Sequence, residues 1–265
     1  PNNRLIHYAE FQQTGEIKDN QVFDTLVLTG GNRYKLEAGK TQTITTNGTI
    51  ISMGGCEAPV FIESSLATQN AIISKMGGTN VVIDNTIVEN ITANVSTGLT
   101  YTINNGLTLS NSTGWILMNT APRTLYWVGN GGFWDESAHW SLNSGGPGGE
   151  CPPSPLDNIL FDANSFSMPN QTVHVRRYDA YCRDMNWTGV DENPSFYTGS
   201  YASRINSFGN FILSPNMTYN YNGEQYFRAD HAVSITCAGN KFLQNMYFTN
   251  PLGDWTFTDD LNLTW

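Results

Sequence analysis

Charged residues are scarce in this sequence of 265 residues. They make up 14% of the chain, against about 25% in typical soluble domains. Acidic residues outnumber basic ones by 23 to 13, which gives a formal net charge of -10. Nucleic-acid binding depends on clustered Lys and Arg, so no nucleic-acid partner is expected. The hydrophilic surface must therefore consist mainly of Asn, Thr, Ser and Gly, which is typical of an extracellular protein.

Long apolar runs are also missing. No stretch approaches the ~18 consecutive apolar residues of a membrane-spanning helix, and no basic segment followed by an apolar core opens the chain. The sequence begins at Pro1 without a methionine and ends at Trp265 within an alternating stretch. We therefore expect a segment of a longer protein.

Cysteine is sparse, with four residues at Cys56, Cys151, Cys182 and Cys237. They form no Cys-x-x-Cys pair and lack metal-ligand spacing to histidine, so no metal site is expected from them. Cys151 and Cys182 are candidates for a disulfide around a loop of about thirty residues, which would stabilise the fold by roughly 3 to 4 kcal/mol. Cys56 and Cys237 are predicted to be small buried apolar residues.

Catalytic groups are dispersed. The one adjacent carboxylate pair, Asp259 and Asp260, would point to opposite faces of a strand. The histidines are isolated from candidate nucleophiles, and no Gly-x-Ser-x-Gly motif occurs. The sequence therefore predicts no catalytic residues and a protein that is not an enzyme.

Short strands are what the chain does contain. They recur every 8 to 12 residues or so, separated by Gly and Asn, without any sustained helical spacing of apolar residues. The segment 41–51, for example, alternates Ile with Thr and Asn. This pattern predicts an all-β fold, a right-handed parallel β-solenoid (β-helix) of repeated modules, with tandem β-sandwiches as the alternative. Asn47-Gly48, Gly77-Gly78 and Asn104–Gly106 are predicted corners with positive φ.

The strand pattern is interrupted once, by a Trp- and Gly-rich stretch at 126–166. We therefore predict that residues 1–118 are the C-terminal part of one solenoid module, that 119–124 are a linker, and that 125–265 begin the next module. Trp115 is predicted to cap the last turn of the first module.

The Trp- and Gly-rich stretch offers two kinds of candidate site. Trp127, Trp134 and Trp140 could stack on sugar rings, or they could fill the first turn of the second module, which we favour. Asp157 and Asp162 are weaker candidates for a calcium site, since Asp and Asn side chains also close tight turns.

The segments that carry a family resemblance are YWVGNGGFWDESAHWSLNSGGPGGEC at 126–151, DNILFDANSF at 157–166, CRDMNWTG at 182–189, LSPNMT at 213–218 and NSTGWI at 111–116. They resemble a module of very large repetitive surface proteins that gliding bacteria export by type IX secretion. Among these proteins, the SprB-like gliding-motility adhesins are the most similar type.

The resemblance implies a long, non-enzymatic cell-surface adhesin filament that supports attachment and gliding, extracellular and anchored at the outer membrane. Its implied partners are surface polysaccharide or a solid substratum, together with the gliding and secretion machinery through parts outside this segment. Thr25, in Asp24-Thr25-Leu26, resembles an acceptor of O-glycosylation in such bacteria. The alternative function is that of a secreted β-helix protein that binds or cleaves polysaccharide.

Overall fold

The computed structural model describes residues 4–176, 179–199 and 202–263. Their strands are almost all parallel and stack in successive coils of the β-solenoid type, about 11 turns when all coils are counted. The predicted all-β solenoid is thus confirmed over tandem sandwiches. Helix is limited in these ranges to two 3₁₀ turns, Val95–Thr97 and Ser137–His139. In the described ranges, no helix has the length and apolar content needed to cross a bilayer.

The chain divides into two compact units between Thr120 and Ala121. In unit 1, three parallel sheets form the walls of the solenoid, with the strand orders β1-β3-β5-β7-β10, β13-β11-β8 and β12-β9-β6-β4-β2. These strands are β1 (Leu5–Phe11), β2 (Gly15–Ile17), β3 (Gln21–Thr29), β4 (Arg33–Leu36), β5 (Thr41–Met53), β6 (Val60–Ser64), β7 (Ala71–Lys75), β8 (Val81–Asp84), β9 (Thr86–Glu89), β10 (Ile91–Ala93), β11 (Tyr101–Asn104), β12 (Leu107–Leu109) and β13 (Trp115–Met118).

Alternation of apolar and polar residues explains the walls of unit 1. Successive side chains of a strand point to opposite faces, so in β6 Val60 and Ile62 are buried while Phe61 and Glu63 are half-buried on the outside. The inward side chains of stacked turns form one core that includes Phe23, Tyr34, Ile44, Ile73, Ile83, Val88 and Ile103.

Only some of the predicted corners of unit 1 have positive φ. Gly78 (φ 84°) and Asn105 (φ 50°) do, as expected for residues that tolerate the left-handed region. Asn47 and Gly48 instead lie inside β5, so that corner prediction is wrong. There the pairing of β3 with β5 shifts register between Phe23 and Thr25.

Trp115 lies in β13, paired in register with Tyr101 of the preceding turn. The two rings meet edge to face with centroids 5.8 Å apart, and the indole Nε1 donates to the Ile91 carbonyl at 3.1 Å. Trp115 is partly buried against the core of unit 1, which is the position expected of a residue that covers the last turn.

Unit 2 is built from a long sheet of order β16-β14-β17-β20-β23-β26-β29 and from sheets of order β15-β18-β21-β24, β19-β22-β25-β28 and β27-β30. The strands are β14 (Thr124–Trp127), β15 (Gly132–Phe133), β16 (Trp140–Ser141), β17 (Asn158–Leu160), β18 (Thr172–His174), β19 (Asp179–Cys182), β20 (Met185–Asn186), β21 (Ser195–Thr198), β22 (Arg204–Ser207), β23 (Phe211–Ile212), β24 (Thr218–Tyr221), β25 (Glu224–Phe227), β26 (Ala232–Thr236), β27 (Lys241–Phe242), β28 (Met246–Phe248), β29 (Asp254–Phe257) and β30 (Asn262–Leu263).

The long sheet of unit 2 keeps one register from turn to turn. Ile159, Met185, Phe211, Ile235 and Phe257 pair in sequence and point inward. The residues on either side of each therefore face outward. Aromatic side chains dominate the core of this unit, where the rings of Phe161 and Trp187 stack with centroids 3.5 Å apart.

Candidate functional site

The three candidate sugar-stacking tryptophans are all in the core. Trp127 and Trp140 are completely buried and Trp134 is 4% exposed. Two of the indole N–H groups are also occupied within the turn, since Trp127 Nε1 donates to the Asn130 carbonyl at 2.6 Å and Trp140 Nε1 to the Trp134 carbonyl at 2.8 Å. These side chains fill the first turn of unit 2, which is the interpretation that the sequence favoured, and the sugar-stacking alternative is wrong for them.

The predicted disulfide between Cys151 and Cys182 is also wrong. Cys182 is a free thiol, completely buried in the core of unit 2. Cys182 is the last residue of β19, and its side chain points to the same inward face as that of Ala180. Its sulfur therefore lies among apolar side chains. Cys237 is likewise free and buried, as predicted, whereas Cys56 lies exposed in the turn after β5.

Burial changes the acidity of both free thiols. It raises the pKa of Cys182 far above the ordinary thiol value and that of Cys237 to about 12, with the Asp259 carboxylate adding to the effect at Cys237. Both sulfurs therefore stay protonated at neutral pH, where the thiolate is the reactive form. Neither has the character of a nucleophile or a metal ligand.

The two calcium candidates serve turns. The Asp157 carboxylate is buried and accepts from Arg123 Nε (3.1 Å) and Nη2 (2.8 Å), and from the backbone N–H groups of Arg123 (2.9 Å) and Ser154 (2.8 Å). Asp162 Oδ1 accepts from the Asn164 N–H at 2.9 Å, which closes an Asx turn. Across the described ranges, no three His, Cys, Asp or Glu side chains converge as metal ligands would.

Thr25, the candidate O-glycosylation site, lies in the middle of β3. It is half-buried and pairs with Tyr8 on one side and Thr49 on the other. The neighbouring Asp24 carboxylate accepts from Thr45 Oγ1 at 2.7 Å and contacts His7 Nδ1 at 2.7 Å, and these two hydrogen bonds lower the pKa of Asp24.

A surface depression of about 330 Å³ lies on the outer face of the long sheet of unit 2. We call it the amide depression. Four neighbouring strands, β14, β17, β20 and β23, supply its walls, and its outward-facing side chains belong to Thr124, Asn158, Leu160, Asp184, Asn186, Asn210 and Ile212. Three of these seven side chains are amides, and none is cationic.

Hydrogen bonds to the backbone hold the polar side chains of the amide depression. Oδ1 of Asp184 accepts from the Asn210 N–H, Oδ1 of Asn210 from the Ser234 N–H, and Oδ1 of Asn186 from the Thr188 N–H, each at 2.8 Å. Since each of these side chains is anchored through one atom, the orientation of its second polar atom is fixed.

The second polar atom of each of these three side chains is available to a ligand. Among the described residues, Oδ2 of Asp184 and Nδ2 of Asn186 and Asn210 have no hydrogen-bond partner. Asn158 Oδ1 is buried and also without a partner there, a situation that costs about 1–3 kcal/mol for a typical polar group. The depression thus offers fixed donors and acceptors and a single charge, that of Asp184. Asp184 is the one carboxylate among its lining residues, so it lacks the paired acids that glycoside hydrolysis uses.

The sequence predictions missed this surface, although a signal for it exists. An outward polar residue precedes the inward apolar one at Asn158, Asp184, Asn210, Ser234 and Thr256, roughly once per turn. An alignment of the successive turns of unit 2 on this spacing would have placed these polar residues at equivalent outward positions.

These features define the class of the protein as a parallel β-solenoid with a polar outer face. No protein-family model, curated protein or solved structure matches this chain.

Proposed function

We propose that this chain is a segment of a long, non-enzymatic cell-surface adhesin filament that supports attachment and gliding on surfaces. It would be extracellular and anchored at the outer membrane, and it would reach the gliding and secretion machinery through parts outside this segment. The resemblance of 126–151 and 157–166 to modules of type IX-secreted adhesins motivates this role, and the fold is compatible with it.

The observation that carries the proposal is the unbroken register of the long sheet, in which each turn contacts only its neighbours. Stability and stiffness in such a fold accumulate along the axis, which suits a spacer that must transmit force. The outer face adds a suitable chemistry, because Asn186, Ile212 and Thr236 lie outward in three successive turns and carry no charge. A polar, weakly charged surface can make many hydrogen bonds to a hydrated substratum.

A secreted polysaccharide-binding or polysaccharide-cleaving β-helix is the second candidate function. The amide depression favours binding, since its side chains are fixed hydrogen-bonding groups. With one carboxylate, Asp184, among its lining residues, it gives no support to cleavage by an acid pair.

Antibodies raised against the purified chain would test the adhesin proposal. We expect them to label intact, unpermeabilised cells of the source organism, to lose that signal after external protease treatment, and to reduce attachment and gliding. Antibodies against a cytoplasmic protein provide the control for cell integrity. Labelling that requires lysis would overturn the proposal, and release of reducing ends from a polysaccharide by the purified chain would favour the second candidate.

A further inference from the structure

We propose that the amide depression binds a neutral polysaccharide lying along the solenoid axis. This inference rests on the proposed function in surface attachment and narrows it to one site and one class of ligand.

The hydrogen-bonding capacity matches sugar hydroxyls. A hydroxyl both donates and accepts, and the depression presents unpartnered donors at Asn186 Nδ2 and Asn210 Nδ2 beside an acceptor at Asp184 Oδ2 among the described residues. Backbone hydrogen bonds fix the side chains of Asp184, Asn186 and Asn210. Little side-chain freedom would therefore be lost on binding, which favours affinity.

The apolar flanks match the C–H faces of sugar rings. Leu160 and Ile212 pair in register on either side of Asn186 and face outward with it, and both line the depression. An alternation of aliphatic and amide groups is complementary to a pyranose, which has apolar faces and a polar rim. Specific ligand sites likewise combine apolar walls with a few oriented polar groups.

The charge selects neutral polymers over acidic ones. Among the residues that the structure describes, no Lys or Arg lines the depression, and Asp184 gives it one negative charge, in a chain whose formal net charge is -10. A uronate or sulfate group entering there would meet like charge without a cation to pair with.

The repeat sets the direction of the ligand. Neighbouring strands of a sheet lie ~4.8 Å apart, so β14, β17, β20 and β23 present equivalent outward positions at steps close to the length of one sugar unit. A linear polymer along the axis would meet Asn158, Asp184 and Asn210 at successive turns. A single free sugar would contact only part of this array and bind more weakly.

Affinity electrophoresis of the purified chain tests the proposal, in native gels containing dextran, mannan, agarose or polygalacturonate. The informative variant is Asn186→Asp/Asn210→Asp. It keeps the Oδ1 acceptors for the Thr188 and Ser234 N–H groups and removes both amide donors, while Asp184 already fills the equivalent role as a carboxylate. Asn220→Asp/Asn262→Asp adds the same charge at exposed positions elsewhere on unit 2.

We expect at least one neutral polysaccharide to retard the wild type and the Asn220→Asp/Asn262→Asp control alike. Loss of two hydrogen bonds should weaken retardation of the Asn186→Asp/Asn210→Asp variant by about tenfold or more, and polygalacturonate should retard none of them. If circular dichroism shows that the double variant is unfolded, Asn210→Asp alone replaces it.

Three results would overturn the proposal: no retardation in any neutral gel, equal retardation of the wild type and the Asn186→Asp/Asn210→Asp variant, or retardation by polygalacturonate alone. Antibody labelling of intact cells is independent of this assay. A chain that is displayed at the surface but binds none of these polymers would therefore refute the depression as a site while leaving the adhesin role intact.

Discussion

Trp127 and Trp140 face each other across an antiparallel pair, β14 with β16, in a long sheet that is otherwise parallel. Their rings meet edge to face, with centroids 5.1 Å apart and an interplanar angle of 88°. Trp127 also stacks on His139, with centroids 4.7 Å apart. The strand reversal at β16 thus brings two indoles into the first turn of unit 2, where they complete its core.

Replacing one of these indoles should destabilise unit 2. We expect Trp140→Ala to lower the free energy of unfolding by about 3–5 kcal/mol, because truncating a fully buried aromatic side chain leaves a cavity. Urea unfolding followed by far-UV circular dichroism measures the loss. Leu142→Ala, two residues away and half exposed, is the control and should change stability by no more than about 0.5 kcal/mol. Equal midpoints for the two variants would contradict the assignment of Trp140 to the core.

The first turn of unit 2 shows how far the sequence could predict this structure. The alternation of apolar and polar residues along each short strand depends on neighbouring residues alone, and this pattern was sufficient to predict a parallel solenoid. The direction of Trp127 or Cys182 depends on how strands distant in sequence stack, and a tryptophan is equally compatible with a core and with a sugar platform. The amide depression was missed for the same reason, since Asn158, Asp184 and Asn210 come together only through the register of the long sheet.

The free thiols of Cys182 and Cys237 should resist alkylation in the folded chain. Since burial raises the pKa of both, we expect iodoacetamide to leave both unmodified at pH 8 and to modify both in guanidinium, as read by peptide mass spectrometry. Raising the pH to 9 should not increase labelling of the folded chain. Rapid modification of Cys182 under native conditions would show that its sulfur is accessible.

The same pKa shifts set the sign of a pH effect on stability. The pKa of Cys237 lies near 12 in the folded chain, above the unfolded value of about 8.5. The protonated thiol therefore contributes its full share to the free energy of unfolding below pH ~8.5, and this contribution declines as the pH rises towards the folded pKa. We expect the urea midpoint to fall between pH 8 and pH 10. A Cys182→Ala/Cys237→Ala variant should show a smaller fall, and an identical fall would assign the effect to other groups.

The buried carboxylate of Asp157 depends on Arg123. The Asp157 side chain is 1% exposed, and Arg123 Nη2 lies 2.8 Å from Oδ2. We expect Arg123→Met to cost about 3 kcal/mol, because it leaves a buried charge without its cation. Arg204→Met, which removes a more exposed pair with Glu224, should cost about 1 kcal/mol or less. Urea midpoints distinguish the two, and a cost for Arg123→Met no larger than the control would mean that the backbone N–H groups alone sustain Asp157.

A substitution at Gly48 tests the register shift between β3 and β5. A Cβ at this residue would lie 2.4 Å from the Asp24 carbonyl oxygen, a backbone atom that cannot move aside without distorting β3. The Gly48 carbonyl also accepts from Lys75 Nζ at 2.8 Å, so displacement would disturb a buried lysine as well. We expect Gly48→Ala to destabilise unit 1 by about 1–3 kcal/mol.

Gly55→Ala is the matched control for Gly48→Ala, since a Cβ on Gly55 has nothing within 4 Å. At such a position alanine restricts the unfolded chain and should be neutral or stabilising by up to about 1 kcal/mol. Hydrogen exchange resolved by peptide would locate the effect, with faster exchange expected in β3 and β5 for Gly48→Ala and no change for Gly55→Ala. Unchanged protection of β3 in Gly48→Ala would show that the strands at this position are farther apart than the structure places them.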